Sequence, residues 1–181
     1  MANIYKIVFA GPVGAGKTTA IKSLSDIEVV STDASATDDV KLMKATTTVA
    51  MDYGLMRLDN GDQVRLYGTP GQKRFDFMWD ILTYNALGLV LMISASAEDP
   101  VADLRTYVEH FRQLIDSTAL VVGITHADLA EVDVRPAIAR ELVQLGLPTT
   151  VMDTDARDRA HMAMLVRSLI YSIDPLAGTA R

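Results

Sequence analysis

The sequence predicts an α/β fold, with a mostly parallel central sheet, one antiparallel edge hairpin and helices on both faces. Three observations carry this expectation. Short apolar runs alternate with stretches of helical spacing along the 181 residues. A glycine-rich turn joins the first apolar run to the first helical pattern. Asn60-Gly61 separates two β-type runs, which is the signature of a hairpin.

Taken in order, Ile4 to Ala10 reads as a buried strand and Gly16 to Leu24 as a helix with Ala20, Ile21 and Leu24 on one face. Ser31 to Thr47, with five acidic or basic residues and almost no periodicity, reads as an exposed loop. Thr48 to Leu58 and Gln63 to Tyr67 form the antiparallel pair, with Asn-Gly supplying the positive φ angles of a tight turn. Leu87 to Ser94, Ala119 to Thr125 and Thr149 to Met152 are further short strands. Val101, Leu104, Val108, Phe111 and Ile115 recur at helical spacing, as do Met162, Leu165, Val166, Leu169, Ile170 and Ile173. The nine methionines read as flexible core filling.

Composition limits the functions open to the chain. At 49% apolar and without a linker-like segment, residues 1–181 read as a single domain. A net charge of −6 argues against sequence-independent nucleic-acid binding, so proteins are the expected partners. The absence of cysteine excludes disulfides, zinc-thiolate sites and thiol catalysis. There is no apolar run of the roughly 18 residues that a spanning helix needs, and no signal-peptide pattern. With Ala at position 2 and no cysteine in Ala177 to Arg181, neither myristoylation nor prenylation is expected. The expectation is a cytoplasmic protein with no direct membrane anchor.

The chemistry is concentrated in Gly11-Pro12-Val13-Gly14-Ala15-Gly16-Lys17-Thr18, a complete GxxxxGK[ST] phosphate-binding loop between a strand and a helix. That context specifies the three-layer fold of P-loop NTPases. Glycines let successive backbone N–H groups turn inward around phosphate oxygens, and the helix points its positive end at them. The candidate phosphate contacts are Gly11, Val13, Gly14, Ala15, Gly16, Lys17, Thr18 and Thr19. Lys17 would reach the β- and γ-phosphates, and the Thr18 hydroxyl would be a magnesium ligand.

A second cluster, Leu66-Tyr67-Gly68-Thr69-Pro70-Gly71-Gln72-Lys73-Arg74-Phe75, resembles the DTAGQ-[EK]-R-F segment of Ras-like small GTPases. The resemblance implies that the Gly71 N–H senses the γ-phosphate and that Gln72 orients the attacking water, so that Gln72, Lys17 and Gly71 are the catalytic candidates. Read alone, Pro70-Gly71 is also a type II turn. Gly68 departs from the family by replacing an aspartate that helps hold magnesium, which leaves the metal to Thr18, the phosphates and Thr48. Bacterial relatives of the gliding-motility type, partnered by roadblock proteins, share that departure, and the Thr-Pro-Gly-Gln wording is closest to them.

The same resemblance extends along the chain. Thr48-Val-Ala-Met-Asp-Tyr53 is similar to the T-I-G-V-D-F switch segment, making Thr48 the second magnesium ligand, with Thr47 as the fallback. A threonine run is also a plain strand start. Ile124-Thr125-His126-Ala127-Asp128 is similar to [NT]KxD, in which the aspartate accepts from the guanine N1–H and amine. Here Thr125 and Asp128 are kept and His126 replaces the lysine whose stem covers the base. Asp128 alone would equally be a cap or turn acid, and His126 an ordinary surface residue. Asp155-Ala156-Arg157 sits where the family has an S-A-K-like loop, with the Ala156 N–H facing the guanine carbonyl; a solvated helix start is the other reading.

The implied ligands are GTP or GDP with Mg2+, and the implied partners are effector and regulator proteins of roadblock type. The implied function is a switch with slow GTP hydrolysis. No arginine lies between Ser31 and Thr47, leaving Arg57, Arg65 and Arg74 or a partner to complete the site, and Val13 would crowd an arginine supplied in trans. The expected partner surface is the Met51-to-Leu58 edge with Phe77, Trp79 and Tyr84, aromatics that would equally pack under the switch helix. A small-molecule kinase, an assembly or partition ATPase and a nucleotide-binding protein without turnover are the alternatives.

Overall fold

A computed structural model describes residues 3–31, 51–70 and 82–173. Its elements are β1 (Ile4–Ala10), α1 (Lys17–Leu24), β2 (Val30–Ser31), β3 (Asp52–Arg57), β4 (Gln63–Gly68) and β5 (Gly88–Ser94). They are followed by α2 (Pro100–His110), α3 (Arg112–Ser117), β6 (Leu120–Thr125), α4 (Arg135–Gln144), β7 (Val151–Asp153) and α5 (Arg159–Ile173). The strands form one sheet in the order β2-β3-β4-β1-β5-β6-β7. β4, β1, β5, β6 and β7 are mutually parallel, and β3 runs antiparallel to both β4 and β2.

Two apolar layers sandwich the sheet. On one face Ile7, Phe9, Val90 and Met92 pack against Ile21 and Leu24 of α1 and Met162, Leu165 and Leu169 of α5. On the other, Val8, Leu91 and Ile93 pack against Leu104 and Val108 of α2, Ile115 of α3 and Ile138 of α4. Alternate side chains of a strand point to opposite faces, so the continuous apolar runs of β1, β5 and β6 mean burial on both sides. This is the predicted three-layer P-loop arrangement. Glycines set how closely the helices approach: a Cβ at Gly54 would lie 2.8 Å from Ile21, and one at Gly123 would lie 2.7 Å from Leu165.

Several details differ from expectation. In the hairpin turn only Gly61 has positive φ, at 86°. The chain closes instead through a Gly61 N–H donating to the Leu58 carbonyl and a Leu58 N–H donating to that of Asp62. Asn60 accepts from the Asp62 N–H rather than adopting the left-handed conformation, so the loop is longer than a two-residue turn. The helical pattern after Val101 breaks at Phe111 (φ −95°, ψ 12°) into α2 and α3. Asp99 caps α2 through the Ala102 N–H, with Pro100 in its first turn. β2 and α4 are additional elements, and β2 pairs with Tyr53 and Asp52, covering part of the edge expected to be free. Among the described residues no helix is long and apolar enough to cross a membrane.

Candidate functional site

β1, β4, β5, β6 and β7 end on one side of the sheet, and β3, being antiparallel, begins there. β1 lies where the connections diverge to the two faces, the crevice in which open α/β sheets bind ligands. The phosphate loop leaves from β1. Gly11 has φ 143°, and a Cβ there would sit 2.1 Å from the Met92 carbonyl oxygen, so β5 enforces glycine. Gly14 and Gly16 have φ of 81° and 94°. The N–H groups of Val13, Gly14 and Gly16 make no hydrogen bond among the described residues, whereas that of Ala15 donates to Pro12. Gly16 caps α1 without a side-chain hydrogen bond, so the first turn of the helix adds further donors.

Lys17 is buried, and its Nζ donates to the carbonyls of Gly11 at 2.6 Å and Pro12 at 2.7 Å. Burial pushes its ammonium down to about 8, opposed by the Asp52 carboxylate. Thr18 is half-buried, Thr19 and Val13 are exposed, and Val13 is free of the core. The Thr18 hydroxyl donates to Asp52 Oδ2. The pair fits a divalent cation on chemical grounds: a hydroxyl that ligates a metal must direct its proton elsewhere, and a carboxylate takes it here.

A cavity of about 370 Å³ opens beside Gly16 and Thr19. It brings together Thr125, His126 and Asp128 from the end of β6 and Asp155, Ala156 and Arg157 from the end of β7. Thr125 is buried, and its hydroxyl donates to the Ala15 carbonyl at 3.0 Å, tying β6 to the phosphate loop. His126 has φ 56°, and its Nδ1 lies 2.9 Å from Ser94 Oγ and 3.2 Å from Thr125 Oγ1. The ring is thus tethered to the end of β5 rather than free at the surface. Asp128 is exposed on a one-turn 3-10 helix, Ala127–Leu129, that has no side-chain cap.

Arg157 grips Asp155 in a fork, Nε to Oδ1 at 2.9 Å and Nη2 to Oδ2 at 2.7 Å, which holds the Asp155 carboxyl far below the usual carboxylate range. Asp155 therefore shapes the loop, with its carboxylate already engaged. Ala156 is buried, a Cβ on Gly16 would come within 3.1 Å of its own, and its N–H has no hydrogen-bond partner among the described residues.

Thr48, Gly71, Gln72 and Arg74, with Phe77 and Trp79, lie outside the described residues. Two arginine candidates are displaced. Arg57 is at the far end of β3, about 17 Å along the strand from Asp52. Arg65 is exposed in mid-strand, about 10 Å from the site end of β4. Tyr84 is exposed, as expected of a surface aromatic. The residue that sequence reasoning passed over is Asp52. Its signal was present: β3 buries Asp52, Gly54 and Met56 in alternation, placing a carboxylate on an inward-facing phase.

Comparison with known proteins agrees with a nucleotide-binding P-loop protein. The chain is 27% identical over 130 residues to an uncharacterized protein of Methanocaldococcus jannaschii, covering 71% of this chain and 73% of that one. It is 23% identical over 172 residues to the intraflagellar transport protein 22 homolog of Bos taurus, covering 93% and 91% respectively. A family model described as "conserved hypothetical ATP binding protein" matches residues 26–174, most of the sequence downstream of the phosphate loop. The chain belongs to that family.

Proposed function

We propose that the chain is a guanine-nucleotide switch that binds GTP with Mg2+ and hydrolyses it slowly to GDP and phosphate. The observation that carries this reading is the cavity beside Gly16, where Asp128 and the Ala156 N–H, unbonded among the described residues, meet next to the phosphate loop. An exposed carboxylate accepts from the N1–H and amine of guanine, and an N–H donates to its carbonyl. Adenine presents neither combination.

In this reading the loop N–H groups and Lys17 bind the phosphates, and exchange of the Lys17 contacts from the Gly11 and Pro12 carbonyls to phosphate oxygens closes the loop around them. Mg2+, when bound, neutralises charge between the β- and γ-phosphates, and Thr18 and Thr48 would hold it. Gln72 would orient the attacking water, with Gly71 on the γ-phosphate. With no arginine delivered by β3 or β4, intrinsic turnover is on the order of 10⁻⁴ s⁻¹, and a partner supplies the rest. Effector and regulator proteins of roadblock type would read the ordered loops. Residues 1–181 would act as one domain in the cytoplasm.

The test is phosphate release over hours with protein in excess over GTP. Slow release, lost in Gln72→Leu, fits the switch; fast partner-independent turnover, or none, overturns it. The family description favours a second reading, in which ATP is the ligand and Asp128 is a turn acid.

A further inference from the structure

We propose that Asp52 supplies the carboxylate of the magnesium site, from the antiparallel strand β3, in place of the strand-end residue of β4, which is Gly68. This rests on the nucleotide-binding reading of the phosphate loop and extends it to a residue with no assigned role.

The sheet register puts Asp52 directly opposite Gly68. A Cβ at position 68 would lie 3.2 Å from both the Cβ and Oδ2 of Asp52, so the space a side chain there would enter is filled by the Asp52 carboxylate. The glycine and the aspartate are complementary: the acid has moved one strand across the sheet while staying at the same end of the site. The Thr18 hydroxyl donates its proton to Asp52 Oδ2, which leaves the hydroxyl lone pairs for a cation.

Burial supplies an independent argument. Asp52 is only 8% exposed, and among the described residues no ion pair reaches its carboxylate. Lys17, the nearby cation, attracts the carboxylate through space but gives its hydrogen bonds to the Gly11 and Pro12 carbonyls. A buried carboxylate is retained where a cation or metal compensates it. Next to Gly68, the Thr69 hydroxyl is buried and has no hydrogen-bond partner among the described residues, so the strand end carries unspent polar capacity. Asp52 is a positioning residue: it orients Thr18 and lends negative charge to the metal.

The experiment measures the ratio of nucleotide affinity with Mg2+ to that with EDTA, using fluorescent GDP and fluorescent ADP. Asp52→Asn keeps the shape and an acceptor for Thr18 but removes the charge. It is expected to cut the Mg2+ enhancement about 10- to 100-fold, as loss of a supporting ligand does, with affinity in EDTA not reduced, since one negative charge beside the phosphates is gone. The double variant Asp52→Ala, Gly68→Asp returns a carboxylate from the neighbouring strand and is expected to restore the enhancement, with Ile21 shifting to admit the new side chain. It also decides the matter if Asp52→Asn does not fold. An undiminished Mg2+ enhancement in Asp52→Asn, no restoration in the swap, or no enhancement in the parent protein with either nucleotide overturns the proposal. An Asp52-dependent enhancement seen with ADP alone upholds it while removing the guanine reading.

Discussion

Replacing Thr125 with valine removes the bond that joins the base-side strand to the phosphate loop, together with the longer contact to His126 Nδ1 at 3.2 Å. Valine matches the shape of threonine, so packing around the site is kept while the hydroxyl donated to Ala15 is lost. The oxygen is buried and its alternative acceptor, the Ile93 carbonyl, is 3.4 Å away, so the substitution removes one good hydrogen bond and strands the Ala15 carbonyl. A net hydrogen bond is worth about 0.5–1.5 kcal/mol, and the unsatisfied buried partner brings the loss to about 1–3 kcal/mol. For a domain of this size each kcal/mol lowers Tm by about 2–4 °C, so calorimetry on the nucleotide-free protein should show a drop of about 2–12 °C. Nucleotide affinity should fall as well, because the loop is no longer anchored beside the cavity. Thr125→Ser, which keeps the hydroxyl, should retain most of both. A loss in Thr125→Ser as large as that in Thr125→Val would show that the site responds to any change of side chain rather than to the hydroxyl, and an unchanged Tm in Thr125→Val would refute the anchoring argument outright.

Other expectations follow from the same geometry. Gly16→Ala forces a side chain onto a backbone at φ 94° and 3.1 Å from the Ala156 Cβ, costing about 1–2 kcal/mol in backbone strain; titration should find nucleotide affinity reduced more than Tm. Lys17, pushed down to about 8, loses its proton above that pH in the nucleotide-free protein, so binding must take up a proton and affinity should decline from about pH 8 upward. The sign for folding is opposite: between about 8 and the ordinary lysine value of 10.5 the unfolded chain holds more protons, so stability rises with pH, and Lys17→Met should abolish both trends. The Arg105 fork on Glu141, at 2.6 and 2.8 Å, holds the Glu141 carboxyl below its ordinary value. Its stabilisation is present above the unfolded carboxylate range and lost as pH falls through the folded value; acid titration of Arg105→Ala should therefore show a shallower loss of stability.

The parts of the fold legible in the sequence were those with undiluted patterns. β1 has the predicted bounds because its second half, Ile7 to Ala10, is a continuous apolar run buried on both faces, and the glycine-rich turn ends it. The phosphate loop was legible because its glycines answer backbone demands, positive φ and the close approach of Met92, that are local to the motif. α4 was not, because its inward stripe of Ile138, Glu141 and Leu142 contains a glutamate that is tolerable only through Arg105, a partner 36 residues away. The two-residue β2 carries too little pattern to register. In the site, the meeting of Thr125, His126 and Asp128 with Ala156 was readable as two separate motifs, but the fork that engages Asp155 and the tether that fixes His126 depend on tertiary placement. Asp52 escaped for the same reason: its opposition to Gly68 is a matter of strand register.

The central claim is that the cavity beside Gly16 reads guanine through Asp128. Its most direct test is calorimetric titration of the protein with GDP and with ADP in Mg2+ buffer, repeated on Asp128→Ala. Two hydrogen bonds to a carboxylate, at about 1.5–3 kcal/mol each, predict a preference for GDP of about 100-fold or more that collapses in the variant. ADP binding as tightly as GDP, or a preference indifferent to Asp128, would contradict the account and transfer the site to adenine nucleotides.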